Sequence, residues 1–112
     1  MYSEHSEWTK VLENKFGDFA SEEKDQMWIE QTRDMERGDP VVGTVLARTS
    51  FGLWVDIELD FPALIESIHI VGMNAEKYAK DDFYPVGTKI EAMIRGPSIG
   101  GHQIRLEQVS ND

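Results

Sequence analysis

The sequence predicts a mainly β fold, a small five-stranded barrel, closed or partly closed, carrying an N-terminal helical appendage, and three observations carry that prediction. From Asp39 onward the apolar residues change from spacings of three and four to alternation and short runs, which is the pattern of strands rather than helices. Five such runs follow one another, with a glycine bend after the first and a longer connection between the third and fourth. A domain this small must also guard its sheet edges, and closing the sheet removes them. The 112 residues suffice for one domain with a core plus an appendage. The expected division is a helical segment over 1–38, a barrel over 39–108 and a tail over 109–112.

The appendage reads as two amphipathic helices. The first spans about Glu4 to Phe16, where Trp8, Val11, Leu12 and Phe16 fall on one stripe and Gly17 supplies the stop. The second runs from about Glu22 to Arg37, with Ser21 as cap, Glu22 and Glu23 in the first turn and Gly38 past the end. Ala20, Met27, Trp28, Gln31 and Met35 form its partial stripe, and Ile29 falls outside it. Such faces need a floor, which the barrel, the other helix or a partner protein supplies.

In the barrel, Pro40 suits the start of an edge or first strand, and Val41 to Thr49 form that strand. Leu53 to Leu59 form the second, Asp60-Phe61-Pro62 a turn, and Ala63-Leu64-Ile65 a third that runs on toward Ile70. One or two helical turns from Asn74 to Lys80 follow, with Asn74 as cap. After a turn at Tyr84 to Thr88, Lys89 to Arg95 form the fourth strand with Ile90, Ala92 and Ile94 on one face. Gly96 to Gly101 is a hairpin loop, and His102 to Leu106 closes the sheet with Ile104 and Leu106 inward.

The central stretch runs from Gly43 to Ile57. Its bend at Ser50-Phe51-Gly52 uses a glycine that takes backbone angles closed to other residues. With Val45, Leu53, Val55 and Ile57 directed into the core, Trp54 belongs to the opposite face, joined by Phe51 through the irregularity at Gly52. Two aromatics on a solvated sheet face are what stacking of unpaired bases requires. The alternative is that Phe51 and Trp54 pack beneath the N-terminal helices.

Charge works against a general polyanion binder. The formal net charge is −10 and the isoelectric point near 4.6. Residues 1–38 hold 5 basic against 10 acidic side chains and residues 39–112 hold 6 against 11, so each part sits at −5. Non-specific affinity for nucleic acid comes mostly from lysine and arginine releasing counterions. Binding must therefore rest on a local cationic patch, on stacking, or on a partner that is not nucleic acid. Zero cysteines exclude disulfides and thiolate chemistry. No positively charged, apolar leader opens the chain, and no run of about 18 apolar residues is present. A cytoplasmic location with no membrane contact is expected.

No catalytic constellation stands out. His5, His69 and His102 are scattered without metal-ligand spacing. The loop Gly96 to Gly101 lacks the Gly-Lys-Ser/Thr ending of a phosphate loop. Asp81-Asp82 and the acids from Glu58 to Asp60 have no matching base, and no serine sits in a nucleophile elbow. The expectation is a non-catalytic protein without cofactor or metal.

Gly43-x-Val45, Phe51-Gly52-x-Trp54-Val55-Asp56, Ala63-Leu64-Ile65, Tyr84-x-Val86-Gly87-x-Lys89-Ile90 and Ile104-x-Leu106, in this order over about residues 39–108, resemble the S-one domain. That domain is the RNA-binding repeat of the largest protein of the bacterial small ribosomal subunit, and it occurs also in exoribonucleases and translation factors. The resemblance implies a five-stranded oligonucleotide-binding (OB) barrel and places the family's stacking aromatics at Phe51 and Trp54. Glu66 stands where the family often has histidine, and Ile99 and Gln103 replace its acidic and arginine pair. Arg48, Arg95, His102 and Arg105 are the nearby candidates to supply cations. The function implied is weak binding of single-stranded RNA through an aromatic face. The competing reading is an acidic protein-interaction module that docks or neutralises a basic protein such as a nuclease toxin.

Overall fold

The computed structural model describes residues 5–80, 84–97 and 101–108. Five strands close into a barrel in the order β1-β2-β3-β5-β4. They are β1 (Pro40–Arg48), β2 (Gly52–Asp56), β3 (Ala63–Glu66), β4 (Lys89–Pro97) and β5 (Ile104–Glu107). All neighbours are antiparallel except β3 and β5, which run parallel and complete the closure. This is the five-stranded architecture of an OB-fold.

Alternation fills the interior as the sequence predicts. Val45, Leu53, Val55, Ile65, Ile90, Ile94, Ile104 and Leu106 are each at most 2 % exposed. Ile57 lies beyond the end of β2 and is partly buried against this core. The third strand stops at Glu66 instead of running to Ile70: a 3-10 turn over Ser67–His69 follows, with the Ser67 N–H bonded to the Phe51 carbonyl at 2.9 Å.

Gly52 serves by its size rather than by unusual dihedrals, because its φ is not among the positive ones. A Cβ there would lie 2.3 Å from the Ile65 carbonyl oxygen and 2.8 Å from Glu66 Cα. Neither backbone atom can yield, so β2 and β3 approach this closely only through glycine.

The appendage forms α1 (His5–Phe16), a 3-10 turn over Glu22–Lys24 and α2 (Asp25–Thr32). Gly17 stops α1 as expected, with φ +66° and its N–H on the Glu13 carbonyl. Ser21 caps the next segment by accepting from Glu23 N–H. The second helix is shorter than its predicted span. After Thr32 the chain turns so that Gly38 N–H meets the Ile94 carbonyl at 2.8 Å, starting the register of β1 on β4.

Each helix has its own floor. The Trp28 ring on α2 packs edge-on to Phe61 at 5.0 Å and flat on His102 at 5.2 Å, closing one end of the barrel. A further helix, α3 (Ala75–Lys80), is capped by the Asn74 side chain at Lys77 N–H and brings Tyr78 onto the core. Along the barrel wall, Leu12 and Phe16 of α1 form a second cluster with Ala47 and Trp54. Among the described residues no helix is long and apolar enough to cross a membrane. The Ile99, Asp81 and Asp82 positions and the tail from 109 lie outside the described residues.

Candidate nucleic-acid interface

The bend that presents Phe51 is held from three sides. The Gly52 carbonyl receives the Thr49 N–H at 2.9 Å, with the Thr49 hydroxyl at 2.9 Å and the Tyr78 hydroxyl at 2.8 Å. Thr49 Oγ1 in turn accepts from Gly52 N–H at 3.2 Å and from Phe51 N–H at 3.4 Å. Thr49 is 1 % exposed and Tyr78 2 %. The bend is thus preorganised by buried polar contacts, and Phe51 projects from it 41 % exposed.

Beside the bend lies the outer face of β2, β3 and β5. Trp54 pairs with Leu64, which pairs with Arg105, so the three form one row spanning two strand spacings, about 9–10 Å. Arg105 is exposed. At the far side Arg95 reaches over β5 to Glu66, Nη1 to Oε1 3.5 Å. Glu66 therefore neutralises one of the cations beside this face.

Trp54 itself is only 2 % exposed. It points outward, opposite Leu53 and Val55, and α1 then covers it. The Trp8 ring lies on the Trp54 ring at 5.3 Å with an interplanar angle of 24°, a stacked arrangement. Phe51 stands edge-on to both, at 5.8 Å from Trp8 and 6.3 Å from Trp54. Trp54 Nε1 is buried with no hydrogen-bond partner among the described residues. Lys15 of α1 pairs with Asp56 at the end of β2, 3.2 Å apart.

Two expected cations are elsewhere. Arg48 is 3 % exposed, with its guanidinium 5.2 Å from the Tyr78 ring and Nη2 3.4 Å from the Tyr78 carbonyl. The cause is a bulge: the register of β1 on β2 shifts between Val45 and Ala47. One extra residue reverses the alternation, so Ala47 faces outward beside Trp54 and Arg48 faces inward beside Leu53. His102 is 7 % exposed beneath Trp28. Its Nδ1 lies 2.6 Å from the Phe19 carbonyl and its Nε2 2.8 Å from Asp25 Oδ1. It fastens the appendage and does not reach the face.

The predicted set therefore divides. Phe51, Trp54 and Arg105 share one face, Arg95 borders it in an ion pair, and Arg48 and His102 are removed from it. Sequence reasoning missed Thr49 and Tyr78 as the supports of the bend, while its alternative of aromatics packed beneath the N-terminal helices holds for Trp54, which lies under Trp8. Among the described residues no group of three or more His, Asp or Glu is placed to hold a metal ion.

No protein-family model matches this chain, and no curated protein does. Solved structures do match. An uncharacterized protein of Methanocaldococcus jannaschii, MJ1198, superposes with a TM-score of 0.55 at 15% identity, over 70% of this chain and 99% of its own. RNase R of Mycoplasma genitalium superposes with a TM-score of 0.57 at 18% identity in its apo form. In complex with ribose-methylated single-stranded RNA the same enzyme gives 0.58 at 18% identity. The match covers 78% of this chain but only 15% of the RNase R chain, so it concerns one small part of that enzyme. What is shared at these identities is the fold, a barrel of the OB kind.

Proposed function

We propose that this protein is a non-catalytic binder of single-stranded RNA that uses the outer face of β2, β3 and β5. The observation that carries the reading is the Phe51 ring, exposed on a bend fixed by Thr49 and Tyr78, at the rim of the face that holds Trp54 and Arg105. An aromatic held open in this way offers a base a stacking surface without a cost of ordering, and Arg105 supplies a cation for phosphate. The shared fold with a domain of an RNA-bound RNase R is consistent with this reading. Binding is expected to be weak, because the net charge is −10 and Arg95 is engaged by Glu66.

Titration with a single-stranded oligouridylate at low salt, followed by backbone NMR, tests the proposal. Shifts are expected at Phe51, Gly52, Leu64 and Arg105, and Phe51→Ala should weaken binding by roughly five- to a hundredfold, one lost base stack. An unchanged spectrum at low salt would remove RNA as the ligand. The acidic charge and the covering of Trp54 would then favour the second reading, in which a basic protein docks on this chain.

A further inference from the structure

We infer that α1 is a displaceable cover in which the Trp8 ring holds the place of a nucleobase on Trp54, so that RNA must compete with a segment of this same chain. The inference rests on the RNA-binding reading of the face and says how that face is controlled.

Several independent features carry it. The stacked contact of Trp8 with Trp54, 5.3 Å and 24°, is the arrangement an unpaired base adopts on an aromatic platform. Phe51 forms the wall of that slot and is edge-on to both rings. The cover is also imperfect. Trp54 Nε1 is buried there without an acceptor among the described residues, a condition native interiors avoid. Opening would return that N–H to water, and a base or phosphate oxygen offers it an acceptor.

The way α1 is attached fits displacement. The chain after it has polar fastenings of its own, besides the contact of the Phe19 ring with Phe16: His102 holds the Phe19 carbonyl and Asp25, while Gln31 and Asp60 bond through both side chain and backbone. Gly17, in the left-handed region at φ +66°, lies between the fastened connector and α1. The helix itself has 12 residues, a length at which isolated helices are marginal in water. Its contacts with the barrel include the burial of Leu12 and Phe16, the Trp8 stack and the Lys15 to Asp56 ion pair, whose lysine is 43% exposed. Release of α1 breaks none of the polar contacts that fasten the connector and α2 to the barrel. A cover of this kind lowers apparent affinity by the fraction of molecules that are open.

The test uses the full chain and a fluorescein-labelled single-stranded oligouridylate, read by anisotropy, with NMR of the α1 amides and the tryptophan indole N–H groups. Trp8→Ala should raise affinity by roughly five- to a hundredfold, the worth of one stack. Lys15→Ala, which leaves the aromatics in place, should raise it less and in the same direction. At saturation the wild-type α1 amides should move to coil positions and the Trp54 indole N–H should lose its contacts to Leu12 and Phe16. Retained helix and contacts at saturation would overturn the inference. A fall in affinity on Trp8→Ala would also overturn it, making Trp8 part of the binding platform. If Phe51→Ala weakens binding while Trp8→Ala changes nothing, the cover is wrong and the RNA reading stands. If neither wild type nor Trp8→Ala binds, the RNA reading falls and takes the cover with it.

Discussion

At the scale of single residues, the face is built by side chains whose job is to hold Phe51 in place. Thr49 and Tyr78 converge on the Gly52 carbonyl, and Gly52 lets β2 sit against β3. Gly52→Ala should therefore destabilise the fold by at least about 1–3 kcal/mol, as overpacking does, because the new methyl meets the Ile65 and Glu66 backbone rather than a movable side chain. A thermal or urea melt checks this, and an unchanged midpoint would show that the bend can shift. The glycine was legible in the sequence as the mark of a bend, but its reason was not. A close approach between strands depends on residues 13 and 14 positions downstream, at Ile65 and Glu66, whereas the dihedral argument needs only the local chain.

At the scale of elements, the two N-terminal helices look alike in sequence and are attached differently. Each has an apolar stripe, and each stripe found a floor on the barrel: Leu12 and Phe16 on the wall, Trp28 on the end. A stripe states that a face is buried; it does not state against which surface. The second helix is fastened by directional contacts, chiefly the His102 ring between the Phe19 carbonyl and Asp25, with Trp28 lying on it. His102→Ala removes both polar contacts and a buried ring, and a cost of about 1–3 kcal/mol is expected. In hydrogen exchange the amides of the connector and α2 should open faster, with those of β1, β2 and β4 changed only through global unfolding. Equal acceleration throughout would make His102 part of the barrel core instead of a clasp.

For the whole molecule, the distribution of charge sets the character of binding. The net charge is −10, Arg48 is enclosed, Arg95 is paired with Glu66, and Arg105 is exposed on the face. One or two phosphate contacts give a slope of log affinity against log salt of about −0.7 to −1.4 for a single strand. A tenfold rise in salt should therefore weaken RNA binding by only about five- to twenty-fivefold, and anisotropy titrations across that range measure it. A steeper dependence would place the phosphates on basic residues away from this face. A shallow slope would make stacking, not counterion release, the main source of affinity in the proposed RNA binding, as expected for an aromatic face on an acidic protein.

The sequence alone determined the strand pattern, the inward residues of β2, β4 and β5, the bend at Phe51 and Gly52, and the existence of two helices with faces to bury. These follow from local periodicity, which neighbouring residues encode directly. Only the tertiary structure decided that Arg48 turns inward, since a single bulge against β2 reverses the phase of alternation. Only the tertiary structure placed His102 under Trp28 and set Trp8 on Trp54. Those outcomes depend on which surfaces meet across the fold, and the sequence spacing that makes an apolar stripe carries no address for its partner.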